Sequence, residues 1–371
     1  MTHFWKWLAG ALLASAVIYA GFIALSAAVM PWSQARFDTD VASTSQPFWT
    51  SETRYLVINK AMFRRPANRV IILGASNTRE AFRPALVEAG LSGWEVSVAG
   101  FGSANMSELS DAADLIYGEL GSQRRDKRIF VIGTHYLAFI PSNQIWPGVP
   151  NPVAVDAQRA GLFTRERGAL VPAYPVAVER AIEAALRPQA MLAHVPRLLG
   201  QTLFDNPAFP QLQTLGDKYR GNSPAAQWGK NIESARDLNQ LTVTPAVAKF
   251  LLAERVRGFG GDHALEADQF MALDRLITKI RAHGDAVIVV DLAIPRWHSE
   301  GVPLATASYR AGIGWVRARH AADSSVDYLS LHDLDDSDNF FDSTHTKPRM
   351  WKVWSDRLAY RLNAGLVAKS R

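Results

Sequence analysis

The chain has 371 residues, of which 48% are hydrophobic, 10% aromatic and 20% charged, and it contains no cysteine. That is enough for one large domain or two ordinary ones, and the balance excludes a disordered or fibrous protein. Without cysteine there are no disulfides, thiolate zinc sites, iron–sulfur clusters or cysteine nucleophiles, and the modest formal charge of +5 comes with no nucleic-acid-binding motif, so no nucleic-acid partner is expected.

No charged residue occurs between Trp7 and Ala35, and Trp7 to Met30 is dominated by Ala, Leu, Ile, Val, Phe and Trp. About 20 such residues span a bilayer as a helix, whereas the apolar region of a cleaved signal peptide runs to about 7–15. The segment is therefore read as an uncleaved anchor over residues 1–35, in preference to a signal peptide cut near Ala24, Ser26 and Ala28. Lys6 and His3 precede it, which places the amino terminus in the cytoplasm and the rest of the chain outside, in the periplasm of a bacterial inner-membrane protein.

Residues 36–371 are read as one α/β domain. After a polar connector and first helix at 36–60, short apolar runs mark strands at Arg69 to Gly74, Glu95 to Val98, Arg128 to Gly133, Asp285 to Asp291 and Val326 to Ser330. Helical patterns lie between them, through Leu109, Ala113, Ile116 and Leu120, and through Phe270, Leu273, Ile277 and Ile280 with Gly284 as the closing residue. Strand and helix in alternation predict a parallel sheet covered on both faces. The interval 141–265 breaks this rhythm and is read as a mostly helical insertion, with a helix beginning at Thr244 and Pro245 and stopping at Gly258.

In such sheets reactive groups collect at the carboxyl ends of the strands. Those ends read Gly74, Ala75, Ser76 and Asn77 after the first strand, Gly100, Phe101, Gly102 and Ser103 after the second, and Gly133, Thr134 and His135 after the third. Glycine there permits positive φ and close backbone approach. Near the other end of the chain Asp342 and His345 stand three residues apart, ahead of an amphipathic helix with Trp351, Trp354, Leu358 and Leu362 on one face. A serine nucleophile needs a base and the base an orienting acid, so Ser76, His345 and Asp342 are candidates for those roles. A bland reading stands beside each: Ser76 as a helix cap, Asp342 and His345 as a surface turn, His135 as a structural histidine, and Arg296 and Trp297 as a packed amphipathic loop.

Taken together these four blocks resemble the SGNH (GDSL-type) hydrolase superfamily. The resemblance implies a flavodoxin-like three-layer α/β/α sandwich, with Ser76 as nucleophile, His345 as general base and Asp342 as its partner. It further implies an oxyanion hole from the Ser76 and Gly102 amides. The family's third donor is usually an asparagine after the third-strand glycine, and here Thr134 and His135 occupy that place, His135 being taken as the donor. Asn77, Arg296 and Trp297 are taken as substrate-binding residues, and no cofactor or metal is called for.

With its anchor the chain also looks like the DltD- and AlgJ-like envelope proteins, which serve O-acylation beside a membrane-bound acyltransferase. The expected partners are thus an acylated polysaccharide or other envelope acyl ester, the membrane, and a membrane-bound O-acyltransferase. The rival from another class is a non-catalytic scaffold of the same fold, holding an acyltransferase or polymer-export complex together. A nucleotide-binding reading fails, because no G-x-G-x-x-G follows the first strand.

Overall fold

The computed structural model describes residues 2–29, 36–39, 52–120, 126–140, 163–166, 169–172, 237–258 and 260–367, with five single positions between 177 and 185. Its sheet has five parallel strands, β1 (Arg69–Ala75), β2 (Glu95–Phe101), β3 (Arg128–Thr134), β6 (Ala286–Asp291) and β7 (Val326–Ser330), in the spatial order β2-β1-β3-β6-β7. All five expected strands are present, each within three residues of its predicted bounds. The registers pair Ala75 with Phe101, Thr134 with Asp291, and Asp291 with Ser330, so the carboxyl ends lie level along one edge. Between 36 and 39 the chain adds an isolated bridge from Asp38 to Val98, which covers the outer edge of β2.

The apolar runs are continuous because both faces are covered. Ile71 and Leu73 of β1, Phe130 and Ile132 of β3, and Val287 and Val289 of β6 face one core. It is filled by α2 (Glu52–Asn59), α5 (Met106–Leu120), α7 (Ala267–Ala282) and α9 (Pro303–Arg319). Val70, Ile72, Val131, Ile288 and Val290 face the other core, with α4 (Pro84–Ala89) and α10 (Pro348–Leu362). Helix α7 ends as expected, with Gly284 at φ +80 just beyond it. Trp354, Leu358 and Leu362 of α10 are fully buried, and the Trp354 ring lies between those of Phe82 and Phe340. That packing ties the last helix to the region following β1.

Helix α1 (Thr2–Val29) is long and apolar enough to cross a membrane, and its side chains are almost wholly uncovered by the rest of the chain. The expected helical insertion at 141–265 falls largely outside the described residues. Its described part holds a two-stranded antiparallel ribbon, β4 (Phe163–Glu166) and β5 (Ala169–Pro172), and helix α6 (Pro245–Gly258), which begins and ends where Pro245 and Gly258 predict.

A six-residue helix, α3 (Ser76–Ala81), leaves the end of β1 and lies directly on the sheet. A Cβ on Gly74 would stand 2.0 Å from Thr78 Oγ1, one on Gly133 would stand 2.2 Å from the same atom, and one on Gly100 would stand 2.6 Å from the Arg79 Cβ. The strand-end glycines thus make room for α3. None of them has positive φ, contrary to one half of the sequence expectation; the left-handed residue at this edge is Ser103, at φ 57.

Gly133→Ala is expected to lower unfolding stability by about 1–3 kcal/mol or more, because neither β3 nor the first turn of α3 can yield without moving the sheet. Gly118→Ala, on an exposed turn of α5 with open space around it, is expected to raise stability by about 1 kcal/mol. Urea unfolding of the full-length protein in detergent measures both, and equal effects would contradict this account of the glycines.

Candidate functional site

Ser76 is the first residue of α3, directly after the last residue of β1. It does not cap the helix: Ala75 holds the N-cap position, and the Ser76 Oγ is instead 2.9 Å from the Nε2 of His345. On the other side of that ring Nδ1 lies 2.6 Å from the Asp342 Oδ2. An ionised carboxylate only accepts, so Nδ1 carries the proton and donates, and Nε2 accepts from the Ser76 hydroxyl.

Asp342 is held by its own loop. Its Oδ1 accepts from the backbone N–H groups of Thr344 at 2.8 Å and His345 at 2.7 Å. The loop is closed by an antiparallel bridge between Phe340 and Thr346 and by Phe341 N–H donating to the His345 carbonyl, with the Phe341 ring stacked over the imidazole. A third anchor comes from His298 in α8 (Arg296–Gly301), which is fully buried. Its Nδ1 donates to the Ser343 carbonyl at 2.7 Å, and its Nε2 accepts from the Tyr136 hydroxyl at 2.6 Å. Burial lowers the His298 pKa to about 4, against the raising effect of that carbonyl.

The charges follow from this geometry. Burial opposes ionisation of Asp342, but the imidazole beside it and the two backbone donors outweigh burial and hold the carboxyl below the usual range. Burial likewise pushes His345 down, and the Asp342 charge and hydrogen bond more than reverse it, so its pKa is raised above 6.5. His135 is shifted the other way, to about 3, by burial first and then by His298, Arg255 and His345. It is 4% exposed, and neither ring nitrogen has a hydrogen-bond partner among the described residues.

The cleft above Ser76 has an empty space of about 420 Å3, its open mouth included, and is lined by Ala75, Ser76, Asn77, Ser103, Ala104, His135, Leu137, Arg255 and Thr344. It therefore gathers Ser76, Asn77 and His135 from strand ends that the sequence places far apart. Gly102 is exposed and precedes the lining, because the left-handed Ser103 turns the chain so that Ser103 and Ala104 face the cleft. Its N–H makes no hydrogen bond among the described residues.

Arg296 and Trp297, expected to bind substrate, do not line this cleft: Arg296 is exposed and paired with Asp335 at 2.9 Å, and Trp297 stacks on His298. Arg255, which enters from α6, escaped sequence reasoning, because no local pattern marks it. His298, which the sequence sets beside Arg296 and Trp297 as a candidate groove residue, does not line the cleft and acts through the Ser343 carbonyl. Behind His135 a second cavity is lined by His332 and Tyr309, which both bond to Asp291, at 2.7 Å and 2.6 Å.

No protein-family model matches the chain, and no curated protein does.

Titration of the histidines by NMR is expected to show His345 with a pKa above 6.5 that falls in Asp342→Asn, and His135 neutral down to pH 5. A His345 pKa unchanged by that substitution would contradict the pairing.

Proposed function

We propose that the chain is a membrane-anchored serine esterase or O-acyltransferase of the SGNH type, acting on acyl esters of envelope or exported polymers. The observation that carries this reading is the unbroken chain from the Oγ of Ser76, which lines a cleft, through both nitrogens of His345 to the Asp342 carboxyl. The β2-β1-β3-β6-β7 order of a doubly wound sheet supports it, since such sheets carry their sites at this edge.

Neutral His345 takes the Ser76 proton as the Oγ attacks the ester carbonyl. The resulting oxyanion is met by the Ser76 amide, which as the first helical N–H has no intrahelical acceptor, by the Gly102 amide and by an N–H of His135. His135 suits this task because burial keeps it uncharged while leaving it a donor without a partner among the described residues. Imidazolium at His345, stabilised by Asp342, then protonates the leaving alcohol. The acyl group on Ser76 passes to water or to a polymer hydroxyl with His345 again as base. The apolar α1, with His3 and Lys6 in its first two turns, keeps this chemistry beside the membrane, with the α/β domain on its outer face.

Full-length protein in detergent is expected to hydrolyse p-nitrophenyl acetate. Ser76→Ala and His345→Ala should each lower kcat about a thousandfold or more. Protonated His345 cannot accept the serine proton, so kcat/KM rises with pH through a midpoint above 6.5. In Asp342→Asn the raising charge is gone: the residual rate is small and its midpoint moves to lower pH. Turnover indifferent to Ser76→Ala would refute the assignment.

A further inference from the structure

The polar groups lining the cleft are mostly hydrogen-bond donors, and they outnumber what an oxyanion needs. Asn77 is 3% exposed; its Oδ1 accepts from the Thr78 N–H at 2.9 Å, and its Nδ2 has no partner among the described residues. The N–H groups of its amide are thus left for the cleft. Arg255, half-buried on α6, brings a full positive charge. Its one hydrogen bond among the described residues runs from Nε to the Ser343 Oγ at 3.5 Å, the outer limit of such a bond, and no carboxylate there pairs with it.

Other arginines near this edge are neutralised: Arg79 pairs with Glu52 and Arg83 with Glu80. The acid within the site, Asp342, has both oxygens engaged by His345 and Thr344. The Arg255 charge reaches across the cleft, lowering the pKa of His135, His298 and His345 alike.

An oxyanion takes two or three donors, and the Ser76, Gly102 and His135 N–H groups supply them. The Arg255 guanidinium and the Asn77 amide are left over. A neutral ester seated in the cleft would strip water from Arg255 and give nothing back, which is costly for a cation. A carboxylate or phosphate would return charge-assisted, two-pronged hydrogen bonds that the planar guanidinium is shaped to make.

We propose that Arg255 and Asn77 form an anion subsite beside Ser76, and that the ester taken there carries a carboxylate or phosphate within a few bonds of its carbonyl. This rests on the reading of Ser76 as the acyl-accepting serine. The anionic group belongs either to the acyl part, as in a dicarboxylic hemiester, or to the polymer, as in a uronate or phosphate-bearing unit.

Binding to the full-length Ser76→Ala protein in detergent separates these sources without any need for turnover. Calorimetric titration compares monomethyl succinate with methyl butyrate, methyl glucuronide with methyl glucoside, and glycerol 1-phosphate with glycerol. The charged member of at least one pair should bind at least about tenfold more tightly. Adding Arg255→Gln should abolish that preference, Asn77→Ala should weaken it, and Arg255→Lys should keep part of it, with thermal midpoints confirming folded variants. The favoured pair identifies the source.

No preference in any pair, or a preference that survives Arg255→Gln, overturns the proposal. In parallel, the kcat/KM ratio of p-nitrophenyl hemisuccinate to acetate is read on the Ser76-containing protein. Arg255-dependent binding with no ester turnover keeps the anion subsite and sinks the esterase reading; turnover with no anion preference in binding does the reverse.

Discussion

The site depends on how closely one short helix approaches the sheet. Thr78 fills the space that side chains at Gly74 and Gly133 would occupy, and Arg79 does the same at Gly100. That contact fixes the first turn of α3 against three neighbouring strands, and Ser76 is the residue it leaves standing at the level carboxyl edge. Everything else must then reach Ser76. Helix α10 does so from the far end of the chain, by burying Trp354 between Phe82 and Phe340 and so bringing the Asp342 to His345 loop over α3.

The electrostatics grow out of the same closeness. Burial alone would raise the Asp342 pKa and lower that of His345, yet each partner reverses the tendency of the other, and two backbone N–H groups add to the effect on the acid. His135 and His298 bond to no carboxylate among the described residues, and burial lowers both, the Asp342 charge offsetting only part of that at His298. Beside Ser76, His345 is thus built to take a proton, while His135 and His298 are kept uncharged, His298 to orient a loop and His135 with its ring nitrogens unbonded among the described residues. Arg255 acts on all three from the opposite wall.

Much of the fold was legible in the amino-acid order because the strands are buried on both faces and so appear as short uninterrupted apolar runs. Gly284 beyond α7, and Pro245 and Gly258 in α6, announced helix ends by chemistry that acts within a turn. Ser76, Asp342 and His345 could be singled out because strand-end position and local spacing are themselves properties of the sequence. The rest is tertiary. That Gly74 and Gly133 share one neighbour, that Arg296 turns to Asp335 rather than to the cleft, and that Arg255 meets residues 180 positions earlier depend on distances no local pattern encodes. The ribbon of β4 and β5, four residues to a strand, is too short for its alternation to stand out in an interval rich in Pro, Ala and Arg.

The central claim is that Ser76 is chemically activated by His345, and covalent capture tests it most directly. Full-length protein in detergent is treated with a fluorophosphonate and the adduct located by mass spectrometry of its peptides. The account predicts one adduct, on Ser76, absent in Ser76→Ala and formed far more slowly in His345→Ala. A folded wild-type protein that takes no label, or labels equally well without His345, would contradict it.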